Sequence, residues 1–573
     1  MKNREIAEMF ERMADVLEFQ GEMPFKVNAY RKASRVLQDL DQDIEEIWRA
    51  GELEKIPGIG SGLAKKIDEY LRTGRMTKYE EVVSQVPSEL IDLMQIPNLG
   101  PKTLAMAHKH LGVRDLDSLK KVIADGSLAG LPGMGEKKVQ NILRGIQLFE
   151  QSQARISIGE AYPIVEQIIG QLKSHPAVLK ISPAGSLRRM KETVGDIDIL
   201  VATERGREVI QEFVRLPQVQ DILAAGETKG SVLVQGGRQV DLRAVAPDSF
   251  GAALQYFTGS KAHNVHLRDL AKRDGLKINE YGIFRGEEKL GGKEEEEIYH
   301  ILGMDWIPPE MREDRGEIDL ALQHALPRLI TLQDIRGDLH VHSRYSDGHS
   351  SIPELVEAAK ERGYEYIGVC DHSQSVKYAQ GLTPEKLLEK VEEIRRLNEG
   401  LNGFQVLAGA EVDILGDGQL DYPDEVLAEL DIVIAAIHQG FKQNVTERIL
   451  AAMRNPHVLI VAHPTGRLLS GREGYEVDVE AVLRGAAETG TVLEINAYYD
   501  RLDLDDAHAR RAAELGVLLA INTDAHLIDH LKMMLYGVGV ARRAWLSPEK
   551  VINTWPVQKI LELRKRKQQR LAG

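Results

Sequence analysis

Cysteine is almost missing from this chain. Cys370 is the one cysteine in 573 residues, which excludes a disulfide framework and any cysteine-based zinc site. No apolar run is long enough to cross a bilayer and no signal peptide is recognisable, so a cytoplasmic protein is expected. An excess of positive charge is missing too: 73 Lys and Arg stand against 88 Asp and Glu, a formal net charge of −15. If such a chain binds nucleic acid, it must do so through local backbone sites and patches, not through an overall field. Carboxylates gathered to hold cations would contribute to the same negative balance. What the chain does have is length. It exceeds what one core organises and predicts three or four domains, with an ordinary soluble composition of 43% apolar and 28% charged residues.

Residues 1 to about 150 read as short helices broken by glycine turns. "IAEMFERMADVLEF" spaces Ile6, Met9, Phe10, Met13 and Leu17 along one helical face. Three related pieces follow: "IPGIGSGLAKKI" at 56–67, "IPNLGPKTLAMA" at 96–107 and "LPGMGEKKVQNI" at 131–142. Each is an apolar residue, a proline, a G-x-G-like turn and a helix start, with Asn98 replacing the first glycine in the second copy. This is an internal repeat. One "PGIG" is commonly a helix cap and a loop; three copies argue against that reading. Each copy resembles a helix-hairpin-helix, whose turn amides and following helix N-terminus bind a phosphate without reading sequence. The resemblance implies DNA contacts at Gly58, Gly60, Gly100, Gly133 and Gly135.

From 155 to about 255 strands and helices alternate, with "GDIDILVA", "SVLVQ" and "RQVDLRAV" strand-like. Asp196 and Asp198 share a strand face with Ile197 and Ile199 behind. Asp241, between Val240 and Leu242, would face the same point. Three carboxylates aimed at one point cannot all ionise without cations. Two Mg²⁺ (or Mn²⁺) ions would satisfy them and support in-line phosphoryl transfer. A lone D-x-D is more often a solvated strand. The preceding "GSLRR" changes the balance, because its Gly and Ser amides with Arg188 and Arg189 form a triphosphate cradle.

The set "GSLRR…GDIDIL…VDLR…YFTGSKAHNVHLR" resembles the palm and thumb of family X DNA polymerases, the DNA polymerase beta class. The resemblance implies that Asp196, Asp198 and Asp241 are catalytic and hold both metals, and that Ser186, Arg189 and Gly195 bind the incoming triphosphate. It places Tyr256, Phe257 and Gly259 against the sugar and base, and Asn264 and Arg268 at the minor-groove edge of the new pair. Lys261 stands where the family has an acid. "FKVNAYRKASRVL" with the first glycine turn resembles the family's small lyase domain, in which a lysine forms a Schiff base with an abasic sugar. Lys66 matches that nucleophile, whereas Gly62 stands where a DNA-contacting lysine is usual. Lys66 therefore reads either as a lyase nucleophile or as a solvated or phosphate-contacting lysine.

Beyond 335 seven apolar runs each end in acids or imidazoles: "RGDLHVH", "YIGVCDH", "FQVLAGAE", "DIVIAAIH", "VLIVAH", "TVLEINA" and "VLLAINTDAH". Helical segments such as "SIPELVEAAKERG" separate them, so a parallel α/β barrel is expected, with its chemistry at the C-terminal strand ends. The candidate metal ligands are His340, His342, Asp347, His372, Glu411, His438, His463, Asp524 and His526, with Glu411 a bridge between ions. One strand-end histidine is usually structural; nine such groups are not decoration. The mixed nitrogen and oxygen donors suit two or three Zn²⁺, Mn²⁺ or Fe²⁺ ions, and metal-assisted attack of water on phosphorus. Arg344 and Arg467, in loops after ligand strands, would hold phosphate. The set "DLHVHS…SDGH…CDHS…GAEVDI…AHPTGR…NTDAH" resembles the polymerase-and-histidinol-phosphatase, or PHP, domain. Gln439 stands where relatives carry a small hydroxyl residue, and Cys370 reads as a buried strand residue.

The expected protein is thus multidomain: an all-α helix-hairpin-helix region, an α+β nucleotidyltransferase palm and thumb, and a distorted (β/α)₇ PHP barrel. The expected divisions are a lyase-like domain at 1–95, a fingers-like region at 96–154, palm at 155–260, thumb at 261–316, linker at 317–334 and PHP domain at 335–573. The order of parts resembles bacterial family X polymerases with a C-terminal PHP domain. That implies template-directed gap filling in repair with Mn²⁺-dependent 3′–5′ exonuclease activity, and abasic-site endonuclease or 3′-phosphatase activity besides. Expected partners are gapped or nicked DNA with a 5′-phosphate and dNTPs, with no membrane, for a nucleoid-associated monomer. Two rivals are a small-molecule phosphatase of the histidinol-phosphatase type and a non-catalytic DNA-end scaffold. The palm triad and the three phosphate-binding turns weigh against the first, and the complete metal-ligand sets against the second.

Overall fold

The computed structural model describes residues 2–38, 44–94, 96, 98–234, 238–471 and 473–572. Pro97 of the second glycine turn and Gln235 of "SVLVQ" lie outside them. The chain separates into two compact units, Met1–Ala154 and Arg155–Gly573.

The first unit is helical. Helix Lys2–Phe19 pairs with Pro24–Gln38 and buries Ile6, Phe10, Met13 and Leu17. Each fully buried side chain of this size contributes about 2 kcal/mol. The three repeats fold alike. Ile59 donates its N–H to the Ile56 carbonyl at 3.0 Å, Leu99 to Ile96 at 3.1 Å and Met134 to Leu131 at 3.0 Å. The residue before each donor is left-handed: Gly58 at φ 100°, Asn98 at 67° and Gly133 at 76°. Glycine and asparagine are the residues that tolerate that region, which accounts for the one departure from glycine. Helices Ser61–Thr73, Pro101–Leu111 and Glu136–Ala154 follow the turns.

The second unit opens with a five-stranded sheet in the order Lys180–Pro183, Ile197–Ala202, Arg238–Val245, Lys229–Val234, Val219–Ala225. Helices Phe250–Thr258 and Lys261–Arg273 and a three-stranded sheet, Lys277–Asn279, Gly282–Arg285 and Glu288–Gly291, come next. A buried ion cluster joins these parts. Glu295 accepts from both terminal nitrogens of Arg188 at 2.7 and 2.8 Å, from Arg312 at 2.6 Å and from Trp306 at 3.0 Å. Burial would raise the Glu295 carboxyl, but Arg312 and Arg188 outweigh it and hold it well below the carboxylate range. Within the 317–334 linker, "IDLALQHALPRLI" reads as a helical connector, but only its start is helical. Helix Glu317–Leu322 stops before His324, at φ 53°, and Pro327. Glu317 is buried and takes His263 Nδ1 at 2.8 Å.

Seven strands then run parallel in chain order: Gly337–Val341, Tyr366–His372, Gln405–Asp413, Ile432–Ala436, Val458–Val461, Val492–Asn496 and Leu519–Asn522. They are buried along their length, which is why they read as continuous apolar runs. Val341 bridges Ala525, and His342 N–H donates to the Ala525 carbonyl at 2.8 Å, so the barrel nearly closes. Local signals hold here: Ser351 and Glu354 form a capping box for helix Ile352–Glu361, and left-handed Gly490 ends Val479–Thr489. Cys370 is fully buried in its strand.

Candidate active sites in the palm and the barrel

In the palm, parallel pairing puts Asp198 opposite Asp241 on neighbouring strands. Burial, then the nearby Asp241 carboxylate, push the Asp198 carboxyl up to about 6. Burial acts on Asp241 the same way, but Lys229 at 2.7 Å, Gln239 at 3.0 Å and Ser231 at 2.7 Å outweigh it and hold it low. Two carboxylates forced together at a strand edge suit a divalent cation. Asp196 precedes the strand and is exposed. Gly185, at φ 59°, lets the "GSLRR" turn come close; a Cβ there would stand 2.8 Å from Asp198 Oδ2.

The remaining palm candidates are mostly engaged. Arg188, read from its motif as part of the cradle, is turned to Glu295 instead. Arg189 donates from Nε to Glu313 at 3.1 Å and from Nη1 to the Thr258 carbonyl at 2.5 Å. Ser186 and Arg189 line a cavity, while Gly195 sits half-buried just before Asp196. Tyr256 and Phe257 meet edge to face at 5.1 Å, with Arg243 over the Phe257 ring. Gly259 is left-handed beside Arg189. Asn264 donates to the Tyr256 carbonyl at 2.8 Å and accepts from Gln255 at 2.7 Å, and Arg268 donates to the Asn264 carbonyl at 3.2 Å. In the helical unit, Gly58, Gly60, Gly100, Gly133 and Gly135 are exposed at their turns. Lys66 donates to the Gly62 carbonyl at 2.8 Å, and burial, then Lys78, lower its pKa.

In the barrel the candidates converge. Three groups have their ligand atoms within 4.8 Å of one another: His342, Asp347, His372 and His526; His340, His342, Glu411 and Asp524; and His372, Glu411 and His438. Glu411 is the hub. Its Oε1 lies 3.0 Å from His463 Nε2 and 3.4 Å from His438 Nε2, and its Oε2 lies 2.9 Å from His372 Nδ1. Asp524 Oδ1 is 3.0 Å from His342 Nε2, and Asp347 spans His526 and His372 at 3.4 and 3.5 Å. His463 touches Glu411 but belongs to none of the three groups. Glu411 Oε2 and His372 Nδ1, though 2.9 Å apart, are both buried and make no aligned hydrogen bond among the described residues. A carboxylate oxygen left so among imidazole nitrogens fits a divalent cation, and this donor set fits Zn²⁺, Mn²⁺ or Fe²⁺. Burial would raise the Glu411 carboxyl; His438, His372 and His340 reverse that and keep it ionised. Burial, then His526 and His372, lower His342 to about 4, leaving it a neutral nitrogen donor.

Comparison with known proteins matches four segments of the chain. Residues 1–76 match a helix-hairpin-helix domain, 90–147 a SAM-like helix-hairpin-helix tandem, 253–313 the DNA polymerase beta thumb and 338–497 the PHP domain. The chain is 41% identical over 560 residues to the DNA polymerase/3′-5′ exonuclease PolX of Bacillus subtilis (strain 168), covering 96% of this chain and 97% of that protein. The chain belongs to the PolX family of DNA polymerases. Over 252 residues, 41% of the chain, it is also 31% identical to a probable phosphatase of Thermoanaerobacter sp. (strain X514), covering 97% of that protein. A probable phosphatase of Syntrophotalea carbinolica is 31% identical over 38% of the chain and 90% of its own length.

Around the PolX-family barrel stand residues that motif reading passed over. Glu494 accepts His340 Nδ1 at 2.8 Å, which turns Nε2 towards the cluster, and takes the His463 N–H at 2.9 Å. Asn496 donates to Asp524 at 3.1 Å, and Asp413 accepts the His438 N–H at 2.8 Å. The alternation Glu494, Ile495, Asn496 in "TVLEINA" carried the same signal as His340, Val341, His342. Arg501 Nε lies 3.8 Å from Asp524 Oδ2, and its Nη1 is buried without a hydrogen-bond partner among the described residues. The two arginines expected to hold phosphate are placed otherwise. Arg467 binds Glu192 at 2.6 Å and the Arg501 carbonyl at 3.0 Å, and Arg344 is exposed on the His349 carbonyl. Gln439 donates to the Ser375 carbonyl at 2.9 Å. Asp338, on the ligand face of its strand, accepts from Thr523 and the His340 N–H and ties the first strand to the last.

Proposed function

We propose that this chain fills short DNA gaps at Asp196, Asp198 and Asp241 and trims 3′ ends at the barrel cluster, as a monomer in the nucleoid. The observation that carries this is the presence, in one compact unit, of a registered carboxylate pair and a separate His/Asp/Glu cluster. Mg²⁺ (or Mn²⁺) in the palm and Zn²⁺, Mn²⁺ or Fe²⁺ in the barrel would neutralise developing charge on phosphate oxygens and activate the attacking oxygen. The protein supplies the rest. Ser186, Arg189 and Gly195 hold the triphosphate, and Tyr256, Phe257, Gly259, Asn264 and Arg268 shape the base-pair pocket. Arg501, its buried nitrogen unpaired, faces the scissile phosphate beside Asp524. The turns at Gly58, Gly60, Gly100, Gly133 and Gly135 bind DNA phosphates, the 5′-phosphate of a gap among them. The six divisions stated from the sequence, from 1–95 to 335–573, belong to the same proposal. No helix among the described residues is long and apolar enough to cross a membrane.

The test is a 3′-labelled primer on a gapped duplex, with and without dNTPs and Mn²⁺, and with or without the downstream 5′-phosphate. Extension with dNTPs, shortening without them and tighter binding to the phosphorylated gap, weakening with salt, are expected. No extension and no shortening would sink the proposal. A second reading follows from the probable phosphatases that match the barrel: it also removes 3′-phosphates. Release of phosphate from a 3′-phosphorylated primer checks it. Borohydride trapping on an abasic site decides between the Schiff-base and the solvated role of Lys66.

A further inference from the structure

The loop after ligand strand Tyr366–His372 folds back on itself at the barrel mouth. The Leu382 N–H donates to the His372 carbonyl at 2.8 Å, Val376 to Ser373 at 3.0 Å and Ala379 to Val376 at 3.1 Å. Val376, Ala379 and Leu382 recur at the period of a 3₁₀ turn and are all buried, so they share the loop's inner side. A Cβ on Gly381 would stand 1.9 Å from the Ser373 carbonyl oxygen, so the return depends on glycine. The loop is also tied to the neighbouring ligand strands. Ser375 donates from its hydroxyl to Asp413 at 3.1 Å and from its N–H to Asp421 at 2.6 Å. Gln439, next to His438, donates to the Ser375 carbonyl at 2.9 Å. What this anchored loop presents is Tyr378, 72% exposed, the one exposed aromatic of the barrel among the described residues. It has no hydrogen bond or ring contact among them, whereas Phe441 stacks on Tyr475 at 5.4 Å and Tyr498 on Tyr499 at 5.1 Å. Burial at its hydroxyl, then Glu411, Asp413 and Asp347, raise the phenol to about 12, so the oxygen lies near the ligands while the ring stands in water. Asp347 and His526 are the partly exposed ligands, so the cluster opens on this side.

We propose that Tyr378 is the stacking platform for the 3′-terminal base of a single strand whose last phosphodiester lies at the barrel cluster. The inference rests on the reading of that cluster as the exonuclease site. An apolar ring held in water by a rigid loop offers a face that a base can cover. Every base has such a face, so the contact reads that an unpaired base is present, not which base it is. A terminal base in a duplex must first leave its neighbour and its partner, so the platform favours frayed or single-stranded ends. Gln439 is a positioning residue: it acts through the Ser375 carbonyl to hold the loop.

The test is steady-state 3′-end degradation by the full chain with Mn²⁺, on a single strand that ends in a normal nucleotide or in an abasic sugar. Tyr378→Ala should raise the KM for the normal end about tenfold with kcat within about twofold, because stacking is felt in ground state and transition state alike. Tyr378→Phe, which keeps the ring, should keep the wild-type KM. The abasic end should show the raised KM in wild type already, and Tyr378→Ala should add nothing to it. Gln439→Ala should raise the KM for the normal end about threefold, and not at all in the Tyr378→Ala background. Bound metal, read by mass spectrometry, should stay as in wild type in each variant. An unchanged KM in Tyr378→Ala, or an equal rise on the abasic end, would overturn the inference alone. A wild-type chain that shortens no 3′ end, or shortening that survives His342→Ala, would overturn the exonuclease reading beneath it.

Discussion

The palm and the barrel face the same electrostatic problem and solve it in opposite ways. In the palm the acids are few and only partly gathered: Asp198 and Asp241 are paired by strand register, Lys229 already holds Asp241, and Asp196 is exposed. In the barrel most donors are buried, and two of the three groups meet at Glu411. Carboxylates alone repel, so an all-acid site stays open until cation and triphosphate complete it. Imidazoles beside carboxylates attract, so a mixed site can be assembled in advance. The difference suits a site whose substrate changes at each cycle beside one that keeps its ions.

The comparison is broken most severely by removing each site's ligands in turn. Asp196→Ala with Asp198→Ala should cost at least roughly a thousandfold in nucleotide insertion, the order lost when transition-state charge is left unbalanced. Degradation should stay within about twofold, both read on one labelled gapped duplex. Loss of both activities in a folded double variant would show a shared site.

His342→Ala should do the converse. Val341 and Leu339 still pack, so the fold survives, while degradation falls about a hundredfold and bound metal, read by mass spectrometry, drops. Gap filling is retained and added Mn²⁺ rescues little. Undiminished degradation with normal metal content would remove His342 from the ligand set.

Glu494→Gln sharpens the claim of advance assembly, because Glu494 lies outside the three groups and holds His340 Nδ1. Metal affinity should fall about tenfold with ligand count unchanged. An unchanged affinity in competition with a chelating dye would mean His340 needs no orientation.

Lys229→Met acts on the palm in the other sense. Freed of its ammonium partner, Asp241 should bind Mg²⁺ about threefold more tightly, a modest gain because Lys229 is partly exposed. Titration calorimetry in the absence of nucleotide would detect it; weaker binding would refute the competition.

The smallest effect is in pH. The folded-state pKa of Asp198 is raised from 3.8 to about 6, so between those values the native state holds a proton that the unfolded chain has lost. Stability should then fall as pH rises through that window. In chelator, the urea midpoint of wild type should drop more from pH 4 to pH 7 than that of Asp198→Asn. Parallel curves would contradict the shift.

Much of this molecule was legible in the chain, and the reason is local. Turn hydrogen bonds, left-handed glycines and alternating strands are set by neighbours a few residues apart, so three glycine turns and seven barrel strands could be read directly. Arg188, Arg344 and Arg467 show the limit. Each is a cation beside a motif, and what a long, flexible cation binds depends on which carboxylate or carbonyl the fold brings near: Glu295 for Arg188, Glu192 for Arg467, the His349 carbonyl for Arg344. Glu317 shows the same limit: a connector acid, it is buried and paired with His263, 54 residues earlier.

By itself, then, the sequence determined the donors: which strands carry His, Asp and Glu, and on which face, because strand alternation is a local property. Only the tertiary structure decided which donors meet. Glu411 becomes a hub because barrel closure brings the ends of separate strands to one mouth. Convergence and charge balance are sums over distant residues, and no short stretch of chain contains them.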